Sequence, residues 1–289
     1  MIPYIPRPEL AGRILPKDKP GTHWQARSTA PKIPQTLGQL IDTSSIFMPQ
    51  IAWLDAEQPP DFPPTQEALT APNGLLAAGG ALRPEWLVAA YQRGIFPWFN
   101  EGEPILWWSP SPRMVLLPGS MSVSRSLKKA YRRQPVTLAV NGNFKAVIQA
   151  CREPRTGQGG TWITDEMMAA YCELNRLGWA HSIEVYQRGD LIGGLYGLGI
   201  EKLFYGESMF SRQPNASKFA FLGLSAWAAE AKLRLIDCQV YNDHLASLGA
   251  VEIERDRFES ALPTETVPLA PPTTDRLNQL LQAQLGNSR

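Results

Sequence analysis

Between Leu235 and Tyr241 the chain alternates in a way that reads as a strand. Ile236, Cys238 and Val240 fall on one side, and Asp237, Gln239 and Tyr241 on the other. Just upstream, residues 218–231 are rich in Phe, Leu and Ala and predict a long, largely buried helix, opened by Asn215 or Ser217. Before that helix, residues 181–187, 191–198 and 202–211 are apolar or alternating and are separated by tight turns, one of them Arg188-Gly189-Asp190. They predict an antiparallel meander. Gly193, Gly194 and Gly197 stand inside its second strand, where glycine weakens pairing unless something approaches the backbone closely.

Earlier in the chain the period is helical. Pro84 suits a first helical position, Glu85 the positive end, and Gly94 a left-handed stop, with Trp86, Leu87, Ala90 and Tyr91 as the apolar stripe. Ser124 predicts an N-cap. Residues 136–150 read as strand then helix. Thr164 predicts another cap, with Met167, Tyr171, Leu174 and Leu177 facing the core and Gly178 ending the helix. After the long helix and the alternating strand, residues 246–250 turn into a short strand, Val251-Glu252-Ile253. Residues 1–48 are rich in Pro, Thr, Lys and Gln, show no period, and read as a flexible leader. Residues 265–289 read as a C-terminal tail holding a short helix over 274–284.

Two features of this pattern cost free energy. A carboxylate and an amide on one face of an apolar strand must be paired or used, so Asp237 and Gln239 are either a hydrogen-bonded structural network or a catalytic row. Glu207 poses the same choice in Tyr205-Gly206-Glu207-Ser208-Met209-Phe210. The aromatic density of residues 94–110, with Trp98, Trp107 and Trp108, is either the core of a small N-terminal domain or a surface on which a ligand or base stacks.

Charge sharpens the picture in one place. The net charge of the 289 residues is +1, so a nucleic-acid partner has to meet a local patch. Arg125, Lys128, Lys129 and Arg132 supply one: they share a helix face at i, i+3, i+4 and i+7, and no acid interrupts residues 120–141. The row is either a solvated face or a phosphate-backbone contact. Cys151, Cys172 and Cys238 are three and scattered, as are His23, His181 and His244, which argues against a disulfide framework or a zinc site. No apolar run has transmembrane length, and the proline-rich start does not read as a signal peptide. A cytoplasmic compartment is expected.

The order of elements is that of the GNAT-like acyltransferase fold. The expected class is α+β: a GNAT-like domain of residues 116–264, with a mixed, mostly antiparallel sheet flanked by helices, preceded by a small N-terminal α/β domain of residues 49–115. Fold-level analogy does not give function, but six ordered motifs are more specific: Asn73-Gly74-Leu75-Leu76-Ala77-Ala78-Gly79-Gly80, Tyr91-Gln92-Arg93-Gly94-Ile95-Phe96-Pro97-Trp98-Phe99, Ile105-Leu106-Trp107-Trp108-Ser109-Pro110, Gly160-Thr161-Trp162-Ile163-Thr164, Gly206-Glu207-Ser208-Met209-Phe210-Ser211 and Ile236-Asp237-Cys238-Gln239-Val240. Over about residues 49–262 the chain closely resembles leucyl/phenylalanyl-tRNA–protein transferases.

The resemblance implies transfer of leucine or phenylalanine, less so methionine, from aminoacyl-tRNA to the α-amino group of proteins beginning with Arg or Lys. The product is an N-degron for proteolysis. No metal, coenzyme or membrane is implied. By motif, Asp237 orients Gln239, whose side-chain oxygen contacts the attacking amine, and Asp237→Ala is expected to leave the fold intact. Trp98, Trp162, Leu195, Phe204, Glu207, Ser208 and Phe221 line the aminoacyl and adenosine pocket. Position 195 carries Leu where the family often has Met. Arg125, Lys128, Lys129 and Arg132 hold the tRNA. Three other readings compete: an acetyl-coenzyme A acyltransferase, a tRNA-dependent peptidyltransferase and a non-catalytic tRNA-binding adaptor. The glycine-rich run Arg155-Thr156-Gly157-Gln158-Gly159-Gly160 is one residue short of the pyrophosphate loop that the first of these needs.

Overall fold

The computed structural model describes residues 51–153 and 162–286. Its first part forms a small sheet, β1 (Ala52–Leu54), β2 (Leu75–Gly79), β3 (Phe96–Pro97) and β4 (Leu106–Trp108), with α1 (Pro84–Gln92) between β2 and β3. The strand order is β1-β2-β4-β3; β1 runs parallel to β2, and the other neighbours are antiparallel. Pro84 is the first residue of α1, and Gly94 follows it at φ +71°. Trp86, Leu87, Ala90 and Tyr91 are all buried, as the stripe predicted.

The larger sheet takes β5 (Arg113–Leu116), β6 (Thr137–Val140), β7 (Ala180–Gln187), β8 (Asp190–Ile200), β9 (Leu203–Ser211), β10 (Leu235–Gln239) and β11 (Val251–Ile253), in the order β11-β5-β10-β9-β8-β7-β6. The β7–β8–β9 meander is antiparallel, and β10 pairs parallel to β9, so the sheet is mixed. The helices are α2 (Arg125–Arg133), α3 (Phe144–Arg152), α4 (Asp165–Arg176), α5 (Ala216–Glu230), α6 (Asp243–Ser247), α7 (Arg255–Glu259) and α8 (Thr274–Gly286). α3 and α4 contact one another and the meander, while α5 covers the meander from the other side and α8 packs on α5 and β6. Two apolar cores result. Tyr196 and Tyr205 belong to the core with α3, α4 and the small sheet; Leu195 and Phe204 belong to the core with α5 and α8. That split is the two-residue period of a strand read directly in space.

The local chemistry is conventional. Ser124, Asn143, Thr164 and Asn242 accept backbone N–H groups of Leu127, Ala146, Met167 and Leu245 at 3.1–3.2 Å, filling orphan donors at four helix starts. Asn215 opens α5 differently, through a left-handed backbone at φ +71° and no side-chain cap. The strand glycines are explained by the protein itself. A methyl group on Gly197 would lie 2.1 Å from the Tyr205 carbonyl oxygen, and one on Gly193 would lie 2.5 Å from Ala216 Cβ.

Several expectations are corrected. Leu177 is 42% exposed, because α4 stops at Arg176 and Leu177 is its C-cap. The short helices α6 and α7 were not anticipated; five residues carry too little periodicity to show. Within residues 265–289, α8 buries Leu277, Leu281 and Leu285 against the α5-side core, a spacing of four that a Pro/Thr-rich context obscured. The leader residues 1–48 lie outside the described residues, as does the run of residues 155–160.

His181 ties this C-terminal segment down. Its Nε2 donates to the Leu269 carbonyl at 2.8 Å and its Nδ1 accepts from Asn141 Nδ2 at 3.0 Å. The Asn141 bond requires a ring with Nδ1 unprotonated, whereas the Leu269 bond is made by either form. Burial pushes the imidazole down to about 4, although the Leu269 bond acts the other way. Because the folded value lies below the unfolded one, stability is undiminished by this group above about pH 6.5 and is lost as pH falls from there through about 4. Amide exchange in residues 267–286 is therefore expected to accelerate over that window. The acceleration should be absent in His181→Gln, which keeps an acceptor and a donor but does not titrate.

Candidate active site

β10 carries two of the costly polar residues, Asp237 and Gln239. Asp237 stands opposite Val115 of β5 and beside Tyr205 of β9. A bulge follows between Asp237 and Gln239, and Gln239 adopts φ +65°. A left-handed non-glycine backbone costs of order 1–3 kcal/mol and persists where neighbours over-determine it. Here Asp237 Oδ1 accepts the Gln239 backbone N–H at 2.8 Å and holds the kink. The kink ends the strand, so the expected third member of the row is displaced. Tyr241 is 49% exposed and donates to Asp243 at 2.8 Å instead. Pairing between β9 and β10 also stops at Asp237, while β9 continues to Ser211; the two strands part at this level.

Asp237 is held from its other side by Arg113, the first residue of β5. Arg113 Nε donates to Oδ1 at 2.8 Å and Nη2 to Oδ2 at 2.7 Å, a bidentate pair with both side chains at most 1% exposed. The guanidinium lies between the rings of Phe96 and Phe258, 4.7 and 4.6 Å from their centroids, a favourable stack for a planar cation. Phe96 comes from the small sheet and Phe258 from α7, so the clamp joins both parts of the chain. Arg255 reinforces it by donating to the Ser109 hydroxyl at 3.0 Å and carbonyl at 2.8 Å.

The chain of polar groups continues through Gln239. Its Nε2 donates to Glu207 Oε1 at 2.9 Å, while its Oε1 is buried without a hydrogen-bond partner. Glu207 occupies a second bulge, because Tyr196 pairs with Ser208 and Gly197 with Gly206 across β8 and β9. Tyr91 of α1 donates to Oε1 at 2.6 Å and Tyr171 of α4 to Oε2 at 3.0 Å. Burial pushes the Glu207 carboxyl up to about 7, against the pull of the two phenols. Burial also raises both phenols well above their ordinary range, so they remain donors. Cys238, between the two polar residues, faces the opposite core. Burial pushes its thiol up to about 12, which removes it as a nucleophile at neutral pH.

Thus Asp237, Gln239 and Glu207 converge on one hydrogen-bonded chain. Trp98 and Trp162 are buried in the core that also holds Tyr91, Tyr171 and Tyr196. The Trp98 ring lies 5.7 Å from that of Trp108, whose Nε1 donates to the Trp98 carbonyl at 2.7 Å. Ser208 is buried and faces Tyr196 across the sheet. Leu195, Phe204 and Phe221 do not join the indoles. They pack in the α5-side core, on the other face of the sheet, because alternation along β8 and β9 sends them there. Arg125, Lys129 and Arg132 are exposed on α2 and Lys128 is half-buried. α2 packs through Leu127 and Tyr131 against that same α5-side core, with the Tyr131 and Phe219 rings 6.0 Å apart.

Reading the sequence missed Arg113, Tyr91 and Tyr171 as members of the site. Arg113 opens the apolar run Arg113-Met114-Val115-Leu116, a position where a charge needs a partner. The helical period assigns Tyr91 and Tyr171 to the core, yet a phenol on a buried helix face calls for an acceptor. Among the described residues, no three His, Cys, Asp or Glu side chains form a group able to hold a metal, and no helix is long and apolar enough to cross a membrane.

Comparison with known proteins bears on this geometry. Residues 115–263 match the family "Leucyl/phenylalanyl-tRNA protein transferase", and residues 80–111 match its N-terminal domain. A leucyl/phenylalanyl-tRNA–protein transferase of Saccharophagus degradans is 52% identical over 215 residues, covering 74% of this chain and 88% of its own. One from Pseudomonas entomophila is 56% identical over 201 residues, covering 70% and 89%. A solved structure of a functionally unknown conserved protein from Staphylococcus epidermidis overlaps 62% of this chain and 68% of its own at 12% identity. Its TM-score of 0.35 is too low to define the fold. The α+β fold with its two sheets and buried acid–amide chain is thus that of an aminoacyltransferase. More narrowly, the chain belongs to the leucyl/phenylalanyl-tRNA protein transferase family.

Proposed function

We propose that this protein moves leucine or phenylalanine, and less readily methionine, from aminoacyl-tRNA to the α-amino group of proteins beginning with Arg or Lys. The product is an N-degron handed to proteolysis in the cytoplasm. On this reading residues 49–115 are a small N-terminal domain and residues 116–264 a GNAT-like catalytic domain. The supporting observation is the Gln239 side-chain oxygen: buried, unpartnered, and set on a strained backbone where β9 and β10 part.

The donor ester is already activated, so the step is aminolysis and calls for no coenzyme. The neutral α-amine, whose pKa is about 7.7–8.0, attacks the ester carbonyl. The C–N bond forms, the bond to the ribose oxygen breaks, and that oxygen takes up a proton as the amine loses one. Gln239 Oε1 accepts an N–H of the attacking amine and orients its lone pair, and Asp237 fixes Gln239 through the backbone N–H. Holding both substrates together supplies several kcal/mol. Trp98 and Trp162 serve the adenosine end together with Glu207 and Ser208. Leu195, Phe204 and Phe221 shape the donor pocket from the α5-side core. Arg125, Lys128, Lys129 and Arg132 hold the tRNA by its phosphates, which carry no sequence information.

Incubation with radiolabelled leucyl-tRNA and an Arg-initiated peptide tests the reading. Label is expected at the peptide's N-terminus, and not on the same peptide with its amine acetylated. Label retained only on tRNA would leave a binding protein, and dependence on coenzyme A would move the chain to another class of acyltransferase.

A further inference from the structure

We propose that the protonation state of Glu207 decides which end of the Gln239 amide faces the reacting amine, making Glu207 a positioning residue that gates transfer by pH. The inference rests on the transfer reaction proposed above and adds a control to it. Two buried carboxylates lie along one hydrogen-bonded chain, and their surroundings differ. Asp237 has both oxygens taken by the Arg113 guanidinium and one also by the Gln239 backbone N–H. Glu207 is fully buried and its hydrogen-bond donors are all neutral: Tyr91 Oη at 2.6 Å, Tyr171 Oη at 3.0 Å and Gln239 Nε2 at 2.9 Å. Burying a carboxylate among neutral groups penalises its charged form.

The consequence lies in hydrogen-bond polarity. An ionised Glu207 only accepts, so the amide must turn its NH2 toward it. Gln239 Oε1 then points elsewhere, and it is this atom that is buried without a partner. It is free to accept an N–H from an incoming amine. A protonated Glu207 has one O–H to donate. The Gln239 amide accepts it by turning over, which puts Oε1 against Glu207 and presents an NH2 to the amine. That NH2 has no lone pair to offer, so the amine is neither bound nor oriented. One proton binds from solvent and is released again; no bond other than hydrogen bonds changes.

The groups facing Glu207 agree with this assignment. Tyr91 comes from α1, Tyr171 from α4, Tyr196 from β8, and Gln239 and Asp237 from β10, with Arg113 of β5 behind Asp237. The three phenols are held well above their ordinary range by burial. Burial pushes Glu207 to about 7, within the range where the enzyme works.

The test is the pH profile of kcat at saturating leucyl-tRNA and Arg-initiated peptide, followed from about pH 6 to about pH 8.5, where kcat reports groups in the bound complex. Protonation of the acceptor α-amine, whose pKa is about 7.7–8.0, gives a tenfold fall per pH unit on the acid side in every variant. In the parent protein that limb is expected to steepen toward a hundredfold per unit below the Glu207 value, and Glu207→Gln is expected to be slower and to keep only the shallower fall, because its amide holds Gln239 in both orientations at every pH. Tyr91→Phe removes a donor that lowers the Glu207 value, and is expected to remain active with the onset of steepening moved to higher pH. An acid limb unchanged in Glu207→Gln overturns the proposal, as does an unmoved onset in Tyr91→Phe should the first variant fail to fold. Absence of transfer by the parent protein at every pH is a different result. It overturns the aminoacyl-transfer reading itself, and this inference with it.

Discussion

Asp237→Ala is expected to destabilise the protein by about 3–5 kcal/mol, the cost of leaving a buried guanidinium without its carboxylate. Arg113→Ala should cost as much for the mirror reason, with the stacking between Phe96 and Phe258 lost in addition. The sequence-based expectation that Asp237→Ala leaves the fold intact took no account of a partner 124 residues away, and the buried pair now sets the opposite expectation. Urea melts of both variants check the magnitude. The informative variant is the double one, Arg113→Met with Asp237→Leu. Replacing a whole buried pair by apolar groups of similar size is often neutral, so the double variant is expected to recover most of the stability. It is not expected to recover transfer. Without Asp237 Oδ1 nothing holds the Gln239 N–H at the kink, and misplacing a reacting group by about 1 Å costs on the order of 10²-fold. A double variant that is folded and fully active would show that the ion pair only supports the sheet.

Removing charge from α2 should act on binding alone. Arg125, Lys129 and Arg132 are exposed, and replacing all three by Ala is expected to weaken tRNA binding with little change in the melt. α2 keeps its Ser124 cap and its buried Leu127. Each lost phosphate contact lowers the slope of log affinity against log salt by about 0.7–0.9, so three should flatten it by about 2 to 3. Filter binding with aminoacyl-tRNA across a salt series reads both effects. An unchanged slope would return the row to a plain solvated face. The expectation is sharper for the structure being known: α2 lies on the α5 side of the sheet, opposite the Glu207 chain. Loss of affinity there should leave kcat at saturating tRNA close to that of the parent.

The elements themselves were legible because their causes are local. Pro84 and Gly94 bound a helix by backbone rules that hold in any context, and Ser124 and Thr164 cap by reaching the third residue on. The 2.0-residue period put Asp237 and Gln239 together on one face, and both do lie on that side of the sheet. The same period failed at Tyr241, because a left-handed residue resets the alternation and nothing in the letters of Gln239 announces a positive φ. Motif groups Leu195, Phe204 and Phe221 with Trp98 and Trp162, and alternation along the strands puts the two sets in cores on opposite faces of the sheet.

What the sequence determined by itself, then, is helices α1–α5 and α8, strands β6–β11, the family, and the presence of costly polar residues at 207, 237 and 239, since propensity, capping and alternation act within a few residues. Tertiary structure alone decided what those polar residues do. Arg113 and Tyr91 reach Asp237 and Glu207 from elements more than a hundred residues away in the chain, and Gln239 is held by Asp237 at its backbone N–H and by Glu207 at its side-chain amide. Hydrogen-bond partnership and burial are properties of packed surfaces, and no local period encodes which surfaces will meet.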